Sequence, residues 1–539
     1  MAATRSRKKR FRKSFFVSLC QYAKPTYGIH EFCLPLPPPS PSQDRFIMRG
    51  DLILAIDAGT SSTRATLFDA TGVRLAHASR PFSVALQASF AEADPTSLWA
   101  AVVETVRDLR VDGARIAAIG VTAAIGMVLT DAHGLPLAHI CTWQDRRATR
   151  EAALIENRLG AATVYGISGR RIAPELTGPL LLWFRDHRAN VFAKARLMLT
   201  MKDWLLMRLC GEAVCDPAGA SYSLLFDVGR GAWSQDLIAA LELPRDLFPE
   251  IRDGTAVAGR LTWDAASALG LLDGTSVVVG GPDGTVGGMG GGMVEPGIAV
   301  NVMGTTDVIF ACADQPCFDP DRRLVLNRFP VGEAWCVGGP MAATGGAVAW
   351  LAGVLGADLP TLTAEAAAIA AGSDGLIFSP MLAGSRTPRW DVTERGGLTR
   401  LSFEHGRGHL FRAALEGVAV EVAEVFDALA AAGMPVREIR AVGGGAESSL
   451  WLEIRAALLG KPLIVPEVAE ASALGAAMLA AVGVGLHADL RAASAAMVRI
   501  REKIEPAPDA IAAYAHLKKQ YLAYRQHLDR LPVQEAGDL

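Results

Sequence analysis

"DLILAIDAGTSSTRATLFDATGVRLAHAS", Asp51 to Ser79, reads as an apolar strand, a turn of small hydroxyl-bearing residues, a second strand starting near Thr63, a "DATG" turn and a third strand. An amphipathic helix follows at "SLWAAVVETVRDLR" and a buried strand at "IAAIGVT". Strands mixed with helices in this way indicate an α/β domain. The theme returns in the second half: "IAVNVMGTTDVIFACAD" is again an apolar strand, a Gly-Thr-Thr turn and an apolar strand. Two such openings, each heading an α/β half, predict a duplicated fold with a cleft between the lobes. The boundary is expected near Glu295-Pro296-Gly297, giving domains 48–296 and 297–539.

Bulk properties agree with two large domains. A chain of 539 residues, half of them hydrophobic, is too long for one ordinary core and is expected to form two domains of roughly 200 to 250 residues each. The net charge of −3 is small, and no basic stripe lies beyond the extreme N-terminus, which argues against a nucleic-acid partner. Eight cysteines are scattered without a CxxC pair, as in a reducing, cytoplasmic setting. The Ala-rich windows 364–371 and 471–484 are too short or interrupted for a membrane span, which needs about 18 apolar residues. Residues 1–47 stand apart: "TRSRKKRFRKSFF" is strongly basic, no acid precedes Glu31, and "LPLPPPSPS" builds neither helix nor sheet. They are expected to be a disordered leader or a start-site artefact, with Met48 opening the first strand; a transit peptide is the alternative reading.

Three glycine-containing clusters invite chemistry. In "DAGTSST" the backbone N–H groups and the hydroxyls of Thr60, Ser61 and Ser62 can ring a phosphate, with Arg64 as a charged donor, although no P-loop lysine is present. "GGPDGTVGGMGGG", Gly280 to Gly292, is expected to be a loop carrying one acidic side chain, Asp283, as a proton acceptor or a ligand for a hydrated metal. The competing reading of Asp283 is a turn residue that caps a helix. In "AVGGGAESSLWLEIRAALLGKPLIVP" a strand runs into Gly443, Gly444 and Gly445, and a helix starts near Ser449, whose N-terminus offers free donors.

The order of these clusters, with "CTWQDRRA", "MKDWLLMRLCGE", "CDPAGASYSLLFD", "SPMLAGSRTPRWD" and "HLFRAALEGVA" between them, resembles the FGGY family of carbohydrate kinases from about Leu52 to about Gly485. The resemblance implies an α/β fold of two duplicated lobes of the actin and ribonuclease H type, with an active-site cleft between a sugar-binding N-terminal and a nucleotide-binding C-terminal domain. It implies ATP and Mg²⁺, and transfer of a phosphoryl group to a hydroxyl of a small sugar or polyol. Asp283 falls on the family's catalytic base. Asp57 matches the acid that holds hydrated Mg²⁺ near the phosphates, with Asp283 as the second metal-side carboxylate. Gly59, Thr60, Ser61, Ser62 and Arg64 match the first phosphate loop, and Gly304, Thr305 and Thr306 the second. Gly345, Gly444, Gly445, Ala446 and Ser449 fall where relatives border the nucleotide.

The acceptor side departs from the family. Glycerol-phosphorylating relatives carry an Arg-Glu pair after the "IGVT"-like strand and xylulose kinases carry Met-His-Gly, whereas this chain has "AAIGMV", Ala123 to Val128. Hydroxyl recognition needs polar partners. They are expected from Trp143, Gln144, Asp145, Arg146 and Glu175, beside Asp283. Leu180 stands where the family has a lysine, and Arg400 where it has a glycine. The expected acceptor is a pentulose such as xylulose; a tetritol, hexulose or sugar acid is the alternative within the same chemistry, and a non-catalytic sugar or nucleotide sensor the alternative outside it. A homodimer is the assembly considered.

Overall fold

A computed structural model describes residues 50–468 and 470–528; the expected leader 1–47 and the expected start at Met48 lie outside them. In the first half, β1 (Leu52–Ala58), β2 (Ser62–Asp69), β3 (Arg74–Pro81), α1 (Pro95–Asp108) and β4 (Ile116–Ala123) follow the opening stretch. Next come β5 (Gly126–Thr130), α2 (Met201–Cys210), β6 (Val257–Arg260), β7 (Ser276–Pro282) and α3 (Asp283–Gly290). The second half has β8 (Ile298–Met303), β9 (Thr306–Ala313), β10 (Val325–Arg328), β11 (Trp335–Ala343), α4 (Gly345–Leu355), α5 (Arg407–Ala431) and β12 (Glu438–Val442). It closes with α6 (Ser449–Leu459), β13 (Leu463–Pro466), α7 (Ala471–Gly483) and β14 (Ile500–Ile504).

Each half builds one large sheet. All seven residues of β1 are buried, and all but Asp57 are apolar, as the centre of a doubly covered sheet demands. α1 begins because Asp94 accepts hydrogen bonds from the N–H groups of Thr96 and Ser97 while Pro95 takes the first turn, and it buries Leu98, Ala101, Val102, Thr105 and Val106 along one stripe. The first sheet runs β6-β7-β4-β1-β2-β3 and the second β10-β11-β9-β8-β12-β13-β14. Their centres match strand for strand: β1–β2–β3 are antiparallel as are β8–β9–β11, β4 and β7 run parallel to β1, and β12 and β13 run parallel to β8. Each closes on an antiparallel edge, β6 on β7 and β14 on β13. The repeated strand-turn-strand theme is thus the front of a duplicated sheet.

One expectation needs correction. The stretch Gly280–Gly292 is no loop: Gly280 to Pro282 end β7, and Asp283 to Gly290 form α3. Its glycines serve close packing. A Cβ at Gly290 would lie 1.9 Å from the carbonyl oxygen of Ala471, and one at Gly280, where φ is +73°, 1.8 Å from that of Val121. The two halves are also joined by packing that crosses the boundary between them. α7, though encoded well inside 297–539, packs on α3 and on β1 and β4 of the first sheet, so the second half sends one helix back. Gly120 and Gly475 permit this, since Cβ atoms there would lie 2.3 Å from the Ala476 oxygen and 2.0 Å from the Val286 oxygen. Ile53, Ala118, Met289, Val300, Phe310 and the buried face of α7 form one shared apolar cluster across both halves. Among the described residues no single helix is long and apolar enough to cross a membrane.

Candidate active site

Asp57 and Asp283 sit at the carboxyl ends of β1 and β7, the two parallel strands flanking β4; in register Asp57 faces Thr122 and Pro282 faces Ala123. Carboxyl ends of parallel strands are where α/β sheets receive ligands. The Asp57 side chain is buried: Oδ2 accepts from Arg64 Nη1 at 3.1 Å, and Oδ1 has no hydrogen-bond partner. Burial first, and then the charge of Asp283, push its carboxyl up to about 7 against the opposing pull of Arg64. Asp283 begins α3, keeps a partly exposed face, and is raised by its buried surroundings while the Gly284 N–H and Arg64 act to lower it. Ser472 of α7 donates to the Asp283 backbone oxygen at 3.2 Å, so the returning helix holds the start of α3.

Two hydroxyl turns complete this end of the fold. Gly59 N–H donates to the Ser62 oxygen at 3.0 Å, closing the β1–β2 turn and leaving Ser61 exposed and Thr60 and Ser62 half-buried. In the β8–β9 turn Gly304, Thr305 and Thr306 are exposed. The Gly346 N–H donates to the Thr305 oxygen at 2.8 Å, and a Cβ at Gly345 would lie 2.2 Å from the Gly304 oxygen, so the start of α4 braces this turn. A buried network that composition alone does not reveal stands behind it. Asp307 accepts from Thr344 Oγ1 at 2.8 Å, from Asn301 Nδ2 at 2.9 Å and from Arg455 of α6. The signal was the aspartate two residues after Thr305, with Arg455 inside the quoted "SSLWLEIRAALLG".

The third glycine cluster is a short 3-10 turn, Gly444–Glu447, ahead of α6. Ser448 caps α6, accepting from the Trp451 N–H; Ser449 is exposed, as are Gly443 and Gly444. The methyl group of Ala446 lies in the core with Trp451 and Leu452, so this position can offer a ligand only its backbone.

The acceptor-side candidates divide. Trp143 is half-buried and its Nε1 donates to Thr60 Oγ1 at 3.1 Å, linking this segment to the first turn; Gln144 is half-buried beside it. Arg146 pairs with Glu175, which also lies 3.9 Å from Arg386. Asp145 is corrected: it is fully buried, with Oδ2 accepting from the Ala91 N–H at 2.8 Å and from Arg147 Nη2 at 2.7 Å, and Oδ1 from the Arg147 backbone N–H and Nε. Arg147, missed in the sequence, lies under Phe90 at 4.2 Å and Trp183 at 4.9 Å. A carboxylate with every lone pair engaged inside the core holds the segment and does not face an acceptor. Leu180, in the place of the family lysine, is buried among Leu176, Trp183 and Phe184. Arg400 is exposed with φ +65°.

Residues 52–290 match the N-terminal domain, and residues 299–484 the C-terminal domain, of the FGGY family of carbohydrate kinases. The chain belongs to that family. It is similar to a xylulose kinase of Escherichia coli strain K12, 29% identical over 80% of this chain and 89% of the relative. A glycerol kinase of Citrifermentans bemidjiense is 31% identical over 81% of this chain and 91% of the relative. Among solved structures, a xylulose kinase from Rhodospirillum rubrum superposes with a TM-score of 0.83 at 30% identity, covering 89% of this chain and 99% of that one. The kinase therefore takes ATP as phosphoryl donor and a small sugar or polyol as acceptor.

Proposed function

We propose that the kinase moves the γ-phosphoryl group of ATP to a hydroxyl of an open-chain sugar of about pentulose length, with Asp283 as general base. The observation that carries this reading is the Asp57–Arg64–Asp283 constellation at the strand ends. A carboxylate raised by its surroundings and held at the start of α3 is poised to accept a hydroxyl proton. Arg64, drawn to Asp57, and the N–H and hydroxyl groups of the Thr60 and Thr305 turns are the donors for the phosphates. Phosphoryl transfer rewards positioning and charge neutralisation above covalent chemistry, which is what these groups supply.

The residues fit Mg²⁺. The unpartnered buried Oδ1 of Asp57, with Asp283 near enough to raise its pKa, offers hard oxygen donors to a cation that keeps most of its waters. Bound there, Mg²⁺ supplies neutralisation of phosphate charge. Trp143 and Gln144 border the acceptor, and the apolar "AAIGMV" segment gives it no ion pair. Glycerol, which relies on a charged grip at that segment in relatives, is expected to be a poor substrate. Acceptor-dependent ADP release with glycerol, a pentulose and a tetritol tests the reading. Glycerol as the best of the three overturns the acceptor assignment, and no acceptor-dependent release across a broad sugar panel favours a sensor.

A further inference from the structure

A cavity of about 190 Å³ opens beside Tyr222, and its lining holds three arginines, Arg170, Arg171 and Arg386, against one acid, Glu175. That acid is already spoken for by Arg146, and Arg386 reaches it only at 3.9 Å. Among the described residues Arg170 forms no ion pair within 4 Å and feels Glu175 only from a distance: its Nη1 donates to Asn327 Oδ1 at 2.9 Å, its guanidinium lies 4.2 Å above the Tyr222 ring, and its Nε is buried without a partner. Burial lowers the pKa of both Arg386 and Arg170; Glu175 opposes it at each without cancelling it, and Arg146 and Arg170 add to the lowering at Arg386. Cations taken from water without counter-charge are costly unless a ligand brings the missing anion. A planar guanidinium fork is matched by a carboxylate. Tyr222, whose ring lies under Arg170, is in turn near enough to Asp283 for that carboxylate to help raise its phenol, behind burial.

On the proposed kinase reading, we infer that the acceptor carries a carboxylate at the end remote from the reacting hydroxyl, bound by Arg170 and Arg386. The acceptor class is then an aldonic acid of five or six carbons, its chain running past Tyr222 to Asp283. The hydroxyl oxygen forms a bond to the γ-phosphorus as the bond from phosphorus to the β,γ-bridging oxygen breaks. ADP leaves with that electron pair, and the hydroxyl proton passes to Asp283.

The test compares kcat/KM for gluconate and xylonate with the polyol and ketose of equal length. The aldonates are expected to lead by about 10- to 100-fold, the range that a charge-assisted hydrogen bond supplies. R170Q should bring the aldonate-to-polyol ratio near unity, and R170K should restore part of it. If R170Q does not fold, judged by thermal unfolding, R386Q gives the same readout. Turnover of a neutral pentulose with inert aldonates, or an unchanged ratio in folded R170Q and R386Q, overturns this inference and leaves the kinase reading standing. Absence of acceptor-dependent ADP release from every compound overturns both.

Discussion

Asp57 and Asp283 end parallel strands on either side of β4, and the charge of Asp283 reaches the buried carboxyl of Asp57 and adds to burial in raising it. Replacing Asp283 with Asn is expected to lower kcat by about 10² to 10⁴ with ATP binding retained, because loss of a general base leaves the phosphate donors in place. Calorimetric titration with ATP beside steady-state rates separates the two effects; near-wild-type kcat would remove Asp283 from its role.

The same pair makes stability depend on pH. In the unfolded chain Asp57 ionises near 3.8, whereas the folded protein keeps it protonated up to about 7. Between those values the folded state holds a proton that the unfolded state has lost, so stability falls as pH rises through the window, by at most about 1.4 kcal/mol per pH unit. The melting temperature of the ligand-free protein should drop from about pH 5 to about pH 7.5. Asp57→Asn should flatten that slope; an equal slope in the variant would show that other groups set it.

Asp145→Ala should act on the fold rather than on acceptor affinity. With Asp145 gone, the Arg147 side chain, 3% exposed, keeps only Glu92 as a carboxylate partner. Breaking a buried pair from one side costs about 3–5 kcal/mol. Denaturant unfolding should show this loss, and a double variant that also carries Arg147→Met should recover most of it. A folded, fully stable Asp145→Ala enzyme with a selectively raised acceptor KM would reverse the assignment.

Arg400 occupies the left-handed region at φ +65°, where the family has glycine, and is exposed, with no ion pair among the described residues. A side chain there costs roughly 1 kcal/mol. Arg400→Gly is expected to stabilise the protein by up to that amount, after the greater freedom of glycine in the unfolded chain is subtracted. Chemical denaturation with an unchanged m-value is the check; a loss of stability would mean that the arginine makes contacts worth more than the strain.

Elements whose burial follows from local pattern were readable: the apolar strands around "DAGTSST" and "MGTTD", and the amphipathic helix α1, lie where periodicity put them. α3 was not, because "DGTVGGMG" is half glycine and has poor intrinsic helix propensity; packing against α7 decides it. Asp145 was misread because a carboxylate in "WQDRR" looks alike whether it faces a ligand or the neighbouring arginine, and Arg147 turns inward onto the rings of Phe90 and Trp183 and the carboxylate of Glu92, all distant in sequence. Arg170 and Arg386 lie more than two hundred residues apart and meet around Glu175 only in three dimensions.

The return of α7 has a consequence for synthesis on the ribosome. β1, β4 and β7 are complete once Pro282 has emerged, yet the helix that covers their inner face ends at Gly483. For some two hundred residues of translation, or about 10 to 40 s at roughly 5 to 20 residues per second, an apolar sheet face waits uncovered. The nascent first half is therefore the stage at which this chain most needs a chaperone, and a fragment cut at the repeat boundary would inherit that exposed face permanently.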